Sequence, residues 1–465
     1  MSKTPTMTSR PTTDLKIEPA AKLTGHYTPP PDKSVAHRAL IIAALATGRS
    51  AITPISRSAD VGSTAACLRQ LGVSIETTRD GWIVESPGVN GWTAPERALD
   101  CGNSGTTMRL LSGCLARRSF DSTLIGDESL SRRPMARVAA PLRRMGAAIE
   151  LSAQDTAPVH IKGSTLRAIE YRLPVPSAQV KSAIIFAGLD ANGETIVFEP
   201  DATRDHTERM LVHASVDCHS EAPPRPADRR EQILAEVQAG VASTETYHRR
   251  ITIGARRRPH ACEWRIPGDF SAASFFIAAA LGVRRSDLII AGVGLNPTRT
   301  GFLKVLRRMG VEPEQSRDHH TTGEPSGQLR VGAAKSLKPV HMTASETPLL
   351  IDELPILAVL AARADGVSVI RGAAELRHKE SDRIAAVTRN LRAMGAKVAE
   401  LEDGWAIEGP TTWHGAAIDP CGDHRIAMAF SIAALWADTP STIHNADIVS
   451  ISDPDFFAAL TALVR

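Results

Sequence analysis

The chain alternates apolar segments of helical spacing with short strand-like segments, and one version of this pattern recurs. Four helix-like stretches close on the form Leu-Arg-X-X-Gly, at residues 68–72, 142–146, 306–310 and 391–395. Each glycine stands where a helix commonly ends in the left-handed conformation, and a segment of strand character follows. After the first and last copies, Asp80-Gly81 and Asp403-Gly404 predict hairpin turns. We therefore predict a repeated α/β unit spread over both halves of the chain.

Polar and charged residues collect where the apolar helices are expected to begin. After the cap Asp32, a helix is predicted from Lys33 to Gly48. Free N–H groups and the dipole at such a start favour anions, and arginine suits phosphate and carboxylate. Each segment alone also fits an ordinary capped surface helix, but together they predict a cleft for a polyanionic ligand. The other segments of this kind are 101–109, 126–135, 177–181, 204–207, 377–383 and 422–425, and Asp352-Glu353 interrupts the apolar run 348–362.

Composition narrows the class of protein. A length of 465 residues predicts two to three domains, and a net charge of +3 is too small to indicate nucleic-acid binding. Six scattered cysteines predict reduced thiols in a cytoplasmic protein, and no apolar run is long enough for a membrane span. Residues 1–24 are expected to be a flexible tail. Residues 217–250 interrupt the repeated α/β pattern and are expected to be a surface insertion with a short helix at 229–241. Further along, Pro267-Gly268 suggests a crossover between domains.

Motifs for metals and nucleotide cofactors are missing from the sequence. The 15 histidines show no HExxH spacing, and the cysteines show no CxxC pair. His319-His320 is expected to be an exposed loop pair rather than a ligand pair. There is also no Walker loop and no GxGxxG fingerprint. We therefore expect neither a metal nor a cofactor.

Nine strings, in order along almost the whole chain, resemble the 5-enolpyruvylshikimate-3-phosphate synthase family of enolpyruvyl transferases. They are DKSVAHRAL, GNSGTTMR, GDESLSRRPM, SAQVKSA, IPGDFSAASFF, NPTRTGF, IDELP, KESDRI and GDHRIAM. The resemblance implies an α/β (α+β) fold of two similar domains built from repeated βαβαββ units, like an inverse α/β barrel, with the active site in the interdomain cleft. The domains are expected at 1–30 plus 265–465 and at 31–264. Pro31, His378 and Ile451 depart from the family's usual residues.

The resemblance also implies roles for individual residues. The expected reaction transfers the carboxyvinyl group of phosphoenolpyruvate to the 5-hydroxyl of shikimate 3-phosphate and releases phosphate. The catalytic group is expected to be Lys33, Asp352, Lys379 and Glu380. The positions similar to those that hold shikimate 3-phosphate are Lys33, Ser34, Arg38, Ser177, Ala178, Gln179, Arg204, Asp352 and Lys379. The positions similar to the phosphoenolpyruvate shell are Lys33, Asn103, Gly105, Arg133, Gln179, Arg383 and Arg425.

Two alternatives stay open at this point. One is the related carboxyvinyl transferase that acts on UDP-N-acetylglucosamine, which would be expected to carry a reactive cysteine near residues 110–130. The other is a non-catalytic anion-binding homologue. In the main interpretation we expect a monomer with two small phosphorylated substrates, no nucleic-acid partner and no membrane contact.

Overall fold

A computed structural model describes residues 13–222, 247–254, 257–318 and 322–464, and its regular elements are numbered here along the chain. The strands are β1 (Leu15–Ile17), β2 (Lys22–Tyr27), β3 (Thr47–Thr53), β4 (Ser74–Thr77), β5 (Trp82–Pro87), β6 (Leu99–Asp100), β7 (Ser122–Ile125), β8 (Ala148–Glu150), β9 (Val159–Lys162), β10 (Glu170–Arg172), β11 (Thr195–Glu199), β12 (Cys218–Glu221), β13 (Arg249–Ile253), β14 (Glu263–Arg265), β15 (Arg285–Gly294), β16 (Glu314–Arg317), β17 (Ser326–Gly332), β18 (His341–Met342), β19 (Gly366–Ile370), β20 (Lys397–Leu401), β21 (Gly404–Gly409), β22 (Ala417–Ile418) and β23 (Ser441–Ile443). The α-helices are α1 (Lys33–Leu45), α2 (Ala59–Gln70), α3 (Gly105–Leu115), α4 (Glu128–Ser131), α5 (Ala136–Arg144), α6 (Ala178–Gly188), α7 (His206–His213), α8 (Phe270–Gly282), α9 (Gly301–Arg308), α10 (Leu354–Ala361), α11 (Arg383–Ala393), α12 (His424–Ala434) and α13 (Phe456–Leu463).

Small sheets of one repeated topology make up the fold. In spatial order, the four-stranded sheets are β14-β3-β5-β4, β6-β7-β9-β8, β10-β11-β13-β12, β2-β15-β17-β16 and β18-β19-β21-β20. In each of them the first pair of strands is parallel and the next two pairs are antiparallel. A three-stranded sheet, β1-β23-β22, keeps one parallel and one antiparallel pair. The predicted repeat of an α/β unit is therefore confirmed.

The described residues bury two separate hydrophobic cores. The first core draws on residues from Val35 to Ile266, and α1, α3 and α6 contribute many of its side chains. The second core combines Ile17, Leu23 and Tyr27 with residues from Phe270 to Leu463, around α8, α10 and α12. We call these regions the first and second halves of the molecule. The domain boundaries at residues 30 and 264 stay a proposal, which this separation of cores supports.

Two adjacent chain segments connect the halves. The backbone N–H of Asp32 donates to the carbonyl of Pro267 over 2.8 Å, and that of Asp269 donates to Pro30 over 2.7 Å. Between these two hydrogen bonds, Pro31 and Gly268 form an isolated antiparallel β-bridge. Because Asp32 caps α1 and Asp269 caps α8, the crossover fixes the start of one helix in each half.

The glycine caps behave as predicted. Gly72, Gly146, Gly310 and Gly395 all have positive φ, between 88° and 102°. Strands β4 and β5 meet at the Asp80-Gly81 turn, and β20 and β21 meet at Asp403-Gly404. The expected end of α1 at Gly48 is wrong, because the helix ends at Leu45 and Gly48 pairs with Ser86 inside a sheet.

Two predictions about irregular segments need correction. The expected flexible tail over residues 1–24 is wrong for β1 and the start of β2, since Leu15 pairs with Ile443 and Lys22 with Arg285. Residues 218–221 and 249–250 of the expected insertion at 217–250 belong to β12 and β13, which pair with each other, so these residues are part of a sheet. The helix expected at 229–241 and the pair His319-His320 lie outside the described residues.

Candidate active site

Helix beginnings from both halves carry most of the charged residues singled out by the sequence. In the first half, side chains of Asp32, Ser104 and Ser177 accept hydrogen bonds from backbone N–H groups in the first turns of α1, α3 and α6. In the second half, Asp382 and Asp423 cap α11 and α12 in the same way. Capping satisfies part of each helix end and leaves other N–H groups free, so these ends can receive anionic ligands.

The first turn of α1 presents Lys33 and Ser34. The ammonium group of Lys33 pairs with Asp60 of α2 at 2.8 Å. Burial would raise the pKa of Asp60, but Lys33 outweighs that effect and holds it below its usual value. Arg38, one turn further, is 3% exposed. Its three nitrogens donate to Thr207 Oγ1 at 2.7 Å, Ser182 Oγ at 3.1 Å and the Ser34 carbonyl at 2.9 Å.

The loop before α3 contacts two arginines. Asn103 accepts from Arg133 over 2.9 Å and donates to Asp127 over 2.7 Å. A Cβ at Gly105 would lie 2.8 Å from a terminal nitrogen of Arg109 and 3.6 Å from one of Arg133, so glycine permits this close approach. The same Arg109 nitrogen donates to Gln179 of α6 over 2.7 Å. Of the other predicted residues at the start of α6, Ser177 is its cap and Ala178 its first residue.

Asp352 lies in a 3-10 turn before α10, among cations of both halves. Its carboxylate pairs with Arg204 of the first half, and Arg383 and Arg425 lie 3.8 and 3.9 Å away. Burial alone would raise the pKa of Asp352. Arg425, Arg204 and Lys379 outweigh burial and hold this pKa well below its usual value. Asp352 is therefore a carboxylate at neutral pH.

Glu380 occupies the second position where the halves meet. It pairs with Arg383 at 2.7 Å and with Arg133 of the first half at 3.6 Å. Burial would raise its pKa, but Arg383, His424 and Arg133 hold the pKa far below the usual range. Arg383, itself 1% exposed, also donates to Asp423 over 2.7 Å. Neighbouring Lys379 turns to Glu375 at 3.2 Å.

Around Asp352 and Glu380, two ion pairs therefore join the halves, Arg204 with Asp352 and Arg133 with Glu380. Arg383 and Arg425 complete the group from the second half, and His424 contributes to the electrostatics of both Glu380 and Asp60. The predicted convergence of Arg133, Arg383 and Arg425 is thus present. Lys33 contacts Asp60, and the charge of Lys33 also acts on the pKa of His424, the neighbour of Arg425.

Sequence reasoning missed several residues that shape this site. Asp60 and Glu375 hold the two lysines, and Arg109 holds Gln179. No local signal distinguishes Asp60 or Glu375 from surface carboxylates. Asp423 and His424 could have been found, because both lie in the charged segment 422–425 that the sequence singles out. Both side chains are buried.

Comparisons with known proteins agree with this arrangement. The family profile described as EPSP synthase (3-phosphoshikimate 1-carboxyvinyltransferase) matches residues 17–225 and 218–460. A 3-phosphoshikimate 1-carboxyvinyltransferase of Solibacter usitatus is 43% identical over 97% of this chain and 100% of the relative. One of Acidithiobacillus ferrooxidans is 44% identical over 95% of each chain. This chain belongs to the EPSP synthase family.

Solved structures give the fold of the family. EPSP synthase of Acinetobacter baumannii superposes with a TM-score of 0.82 at 39% identity and covers 97% of this chain and 98% of its own. The enolpyruvyl transferase NikO of Streptomyces tendae has a TM-score of 0.71 at 19% identity, with the same coverage, and so shares the fold. The predicted fold class is confirmed.

Other expectations concern the rest of the molecule. All six cysteines lie in the described part of the chain and are free thiols. No helix there is both long and apolar enough to cross a membrane. Across the described ranges, no three His, Cys, Asp or Glu residues are grouped so that they could hold a metal ion.

Proposed function

We propose that this member of the EPSP synthase family transfers the carboxyvinyl group of phosphoenolpyruvate to the 5-hydroxyl of shikimate 3-phosphate and releases phosphate. The observation that carries the proposal is the meeting of cations from both halves around Asp352 and Glu380. Two phosphate groups and two carboxylates need this density of positive charge, and the fixed arginines supply it without rearrangement of solvent.

Asp352 is proposed as the base for the attacking hydroxyl. The hydroxyl oxygen forms a bond to C2 of phosphoenolpyruvate while its proton leaves and another proton is added at C3. Asp352 is ionised and faces Arg204 where the halves meet, so it has a proton-accepting form. Substrate anions that bind Arg204 and Arg425 would weaken the hold of these cations on Asp352 and so raise its basicity. Loss of phosphate from the tetrahedral intermediate, with loss of a C3 proton, then forms the enol ether.

Glu380 or Lys33 is proposed as the acid at C3. Glu380 is ionised while Arg383 and Arg133 contact it, so it must first gain a proton. Anionic groups of phosphoenolpyruvate that bind these two arginines would compete for the contacts and bring negative charge close. Both effects favour the protonated acid. Lys379, held by Glu375, is proposed to complete the catalytic group.

Two overlapping sets of residues, which include members of the catalytic group, are proposed to hold the two substrates. Lys33, Ser34, Arg38, Ser177, Ala178, Gln179, Arg204, Asp352 and Lys379 would bind shikimate 3-phosphate. Lys33, Asn103, Gly105, Arg133, Gln179, Arg383 and Arg425 would bind phosphoenolpyruvate. Arg38 already makes three protein contacts, so a substrate group there would share or replace one of them.

The rival acceptor UDP-N-acetylglucosamine is disfavoured by Cys114. The expected reactive cysteine of that enzyme would lie in a mobile loop near residues 110–130, but Cys114 is 1% exposed within α3. Burial also raises the pKa of this thiol far above its usual value, which suppresses the reactive thiolate.

A phosphate-release assay tests the function directly. The wild-type chain should release phosphate from phosphoenolpyruvate with shikimate 3-phosphate and not with UDP-N-acetylglucosamine. The variant E380Q should lose nearly all turnover and keep shikimate 3-phosphate binding, measured by calorimetry. Binding without turnover in the wild type would favour the non-catalytic alternative. We also propose that the protein is cytoplasmic and a monomer. A dimer in light scattering would contradict the monomer.

A further inference from the structure

Behind Arg425 lies a buried chain of polar groups that the catalytic scheme does not use. Arg299 donates to both carboxylate oxygens of Glu353, at 2.9 and 2.8 Å. Glu353 in turn accepts from the hydroxyl of Ser271 over 2.5 Å. That hydroxyl contacts a terminal nitrogen of Arg425, which also donates to the Asp352 carbonyl over 3.1 Å. Arg299, Glu353 and Ser271 are each at most 3% exposed.

The direction of the hydrogen bonds along this chain is fixed by chemistry. A serine hydroxyl has one proton and two lone pairs, and the carboxylate of Glu353, which accepts from Arg299 at both oxygens, can only accept. The proton of Ser271 therefore points at Glu353, and its lone pairs are left for Arg425, which can only donate. Ser271 thus presents an acceptor to Arg425 because Glu353 takes its proton.

The chain is also tied to the crossover between the halves. Arg299 lies 3.6 Å from Asp269, the cap of α8, and the backbone N–H of Asp269 donates to Pro30. Ser271 lies in the first turn of α8, and its own N–H donates to the Asp269 side chain over 2.6 Å. Arg425 is therefore anchored to a rigid buried unit rather than to a surface side chain.

We propose that Ser271 is a positioning residue that aims the Arg425 guanidinium at the carboxylate of phosphoenolpyruvate, with its hydroxyl oriented by Glu353 and Arg299. This rests on the proposed function, in which Arg425 binds that carboxylate. Because Arg425 keeps its charge without Ser271, the loss should weaken phosphoenolpyruvate binding specifically and should leave shikimate 3-phosphate binding little changed.

Ser271→Ala and Ser274→Ala form a matched pair for the test. Ser274 is buried in the same helix and donates to the Ser271 carbonyl over 2.6 Å, and its hydrogen bond does not reach Arg425. Loss of one charged hydrogen bond predicts a rise of about tenfold in the KM for phosphoenolpyruvate in S271A. The KM for shikimate 3-phosphate should stay within about twofold, and S274A should change neither constant by more than about twofold.

Glu353→Gln provides a second variant of unchanged size. Arg299 would hold the amide oxygen, so the amide N–H would face Ser271 and donate to it, which displaces the serine proton toward Arg425. E353Q should raise the KM for phosphoenolpyruvate in the same way, and S271A/E353Q should be no worse than the more affected single variant. Should S271A fail to fold in a thermal scan, E353Q decides the question.

The outcomes separate the two proposals. Wild-type protein without phosphate release overturns the proposed function, and the positioning role with it. An active wild type in which S271A behaves like S274A overturns the positioning role alone. An equal rise in both KM values, or a fall in kcat only, also overturns it, because general damage to the fold would do the same. Independent, multiplicative effects in the double variant would show that Glu353 does not act through Ser271.

Discussion

The partners differ between two buried arginines of the first half, Arg38 and Arg109, and two of the second half, Arg299 and Arg383. Arg38 in the first half contacts two hydroxyls and a carbonyl, and Arg109 contacts a glutamine. Burial lowers the pKa of Arg38 to about 10 and, aided by Arg137 and Arg133, that of Arg109 to about 9. In the second half, carboxylates outweigh burial and raise the pKa of Arg299 and Arg383.

The difference assigns separate tasks to the halves. The second half carries its own counter-ions and so holds its arginines in place before any substrate arrives. In the first half, Arg38 and Arg109 hold their charge against neutral partners. Two further arginines of that half, Arg204 and Arg133, reach carboxylates only across the cleft. Substrate anions should therefore gain most from the first half, while the second half supplies fixed geometry.

Arg383→Gln and Arg38→Gln test this contrast with the largest expected effect. Removal of Arg383 leaves Asp423, Glu380 and Asp352 without their shared cation, which should cost about 3–5 kcal/mol of unfolding free energy. Arg38→Gln removes a buried charge from neutral partners and should cost about 1–2 kcal/mol. Urea denaturation measures both values.

Arg377→Gln is the control for the first test. Arg377 lies six residues before Arg383 and also forms ion pairs, with Asp382 at 2.8 Å and Glu400 at 3.0 Å, but its side chain is a quarter exposed. Its loss should cost about 1 kcal/mol or less. Equal losses for R383Q and R38Q would contradict the contrast between the halves.

Much of the fold could be predicted because its signals are local. The cap glycines Gly72, Gly310 and Gly395 and the Asp-Gly turns are short patterns that the backbone itself requires. Strand β2 gave no such signal, because Lys22–Tyr27 is defined by a parallel partner that begins at Arg285. Gly48 looked like a helix cap for the same reason, since its role depends on pairing with Ser86.

The site was predictable where charge stands at a helix start and unpredictable where a partner comes from elsewhere in the chain. Arg383 and Arg425 follow capping residues within conspicuous charged segments. Asp60 lies in ordinary sequence, and Ser271 is an uncharged residue within the string IPGDFSAASFF. Both acquire their roles only through distant partners, Lys33 and Arg425. The resemblance to a family supplied the roles of individual residues. Physical patterns alone predicted a cleft for a polyanionic ligand.

Asp453 sharpens the comparison, because it is a buried carboxylate of the second half that lacks the cations around Asp352. Burial, with Asp455 and Asp269 nearby, raises the pKa of Asp453 to about 6. Its charged form therefore opposes folding above pH 6, and this cost disappears as pH falls toward the unfolded value near 4. Asp453→Asn should raise the unfolding free energy by about 2 kcal/mol at pH 8 and by almost nothing at pH 4.

Urea denaturation at both pH values measures this effect, with Asp455→Asn as the control. The Asp455 side chain is 73% exposed, and its charge is a smaller cause of the raised Asp453 pKa than burial. D455N should therefore raise the unfolding free energy by no more than about 0.5 kcal/mol. Tyr27 donates to Asp453 over 3.4 Å, and an asparagine can accept the same bond. A gain of equal size at pH 4 and pH 8 would show that packing, not charge, causes the effect.

Gly310→Ala has the smallest expected effect and tests the left-handed glycine cap, a feature that Gly72 and Gly146 place in the first half and Gly310 and Gly395 in the second. Gly310 has a φ of +88°, and only the Lys338 side chain, at 3.8 Å, would be near an added methyl group. The left-handed conformation alone should then cost about 1 kcal/mol. Gly62 lies within α2 without positive φ and with open space around it, so Gly62→Ala should stabilise by about 0.5–1 kcal/mol. Thermal unfolding compares the midpoint temperature of both variants with that of the wild type. The same added methyl group is favourable in a right-handed helix and unfavourable only where φ is positive. A shift of the midpoint in the same direction for both variants would therefore contradict the cap assignment.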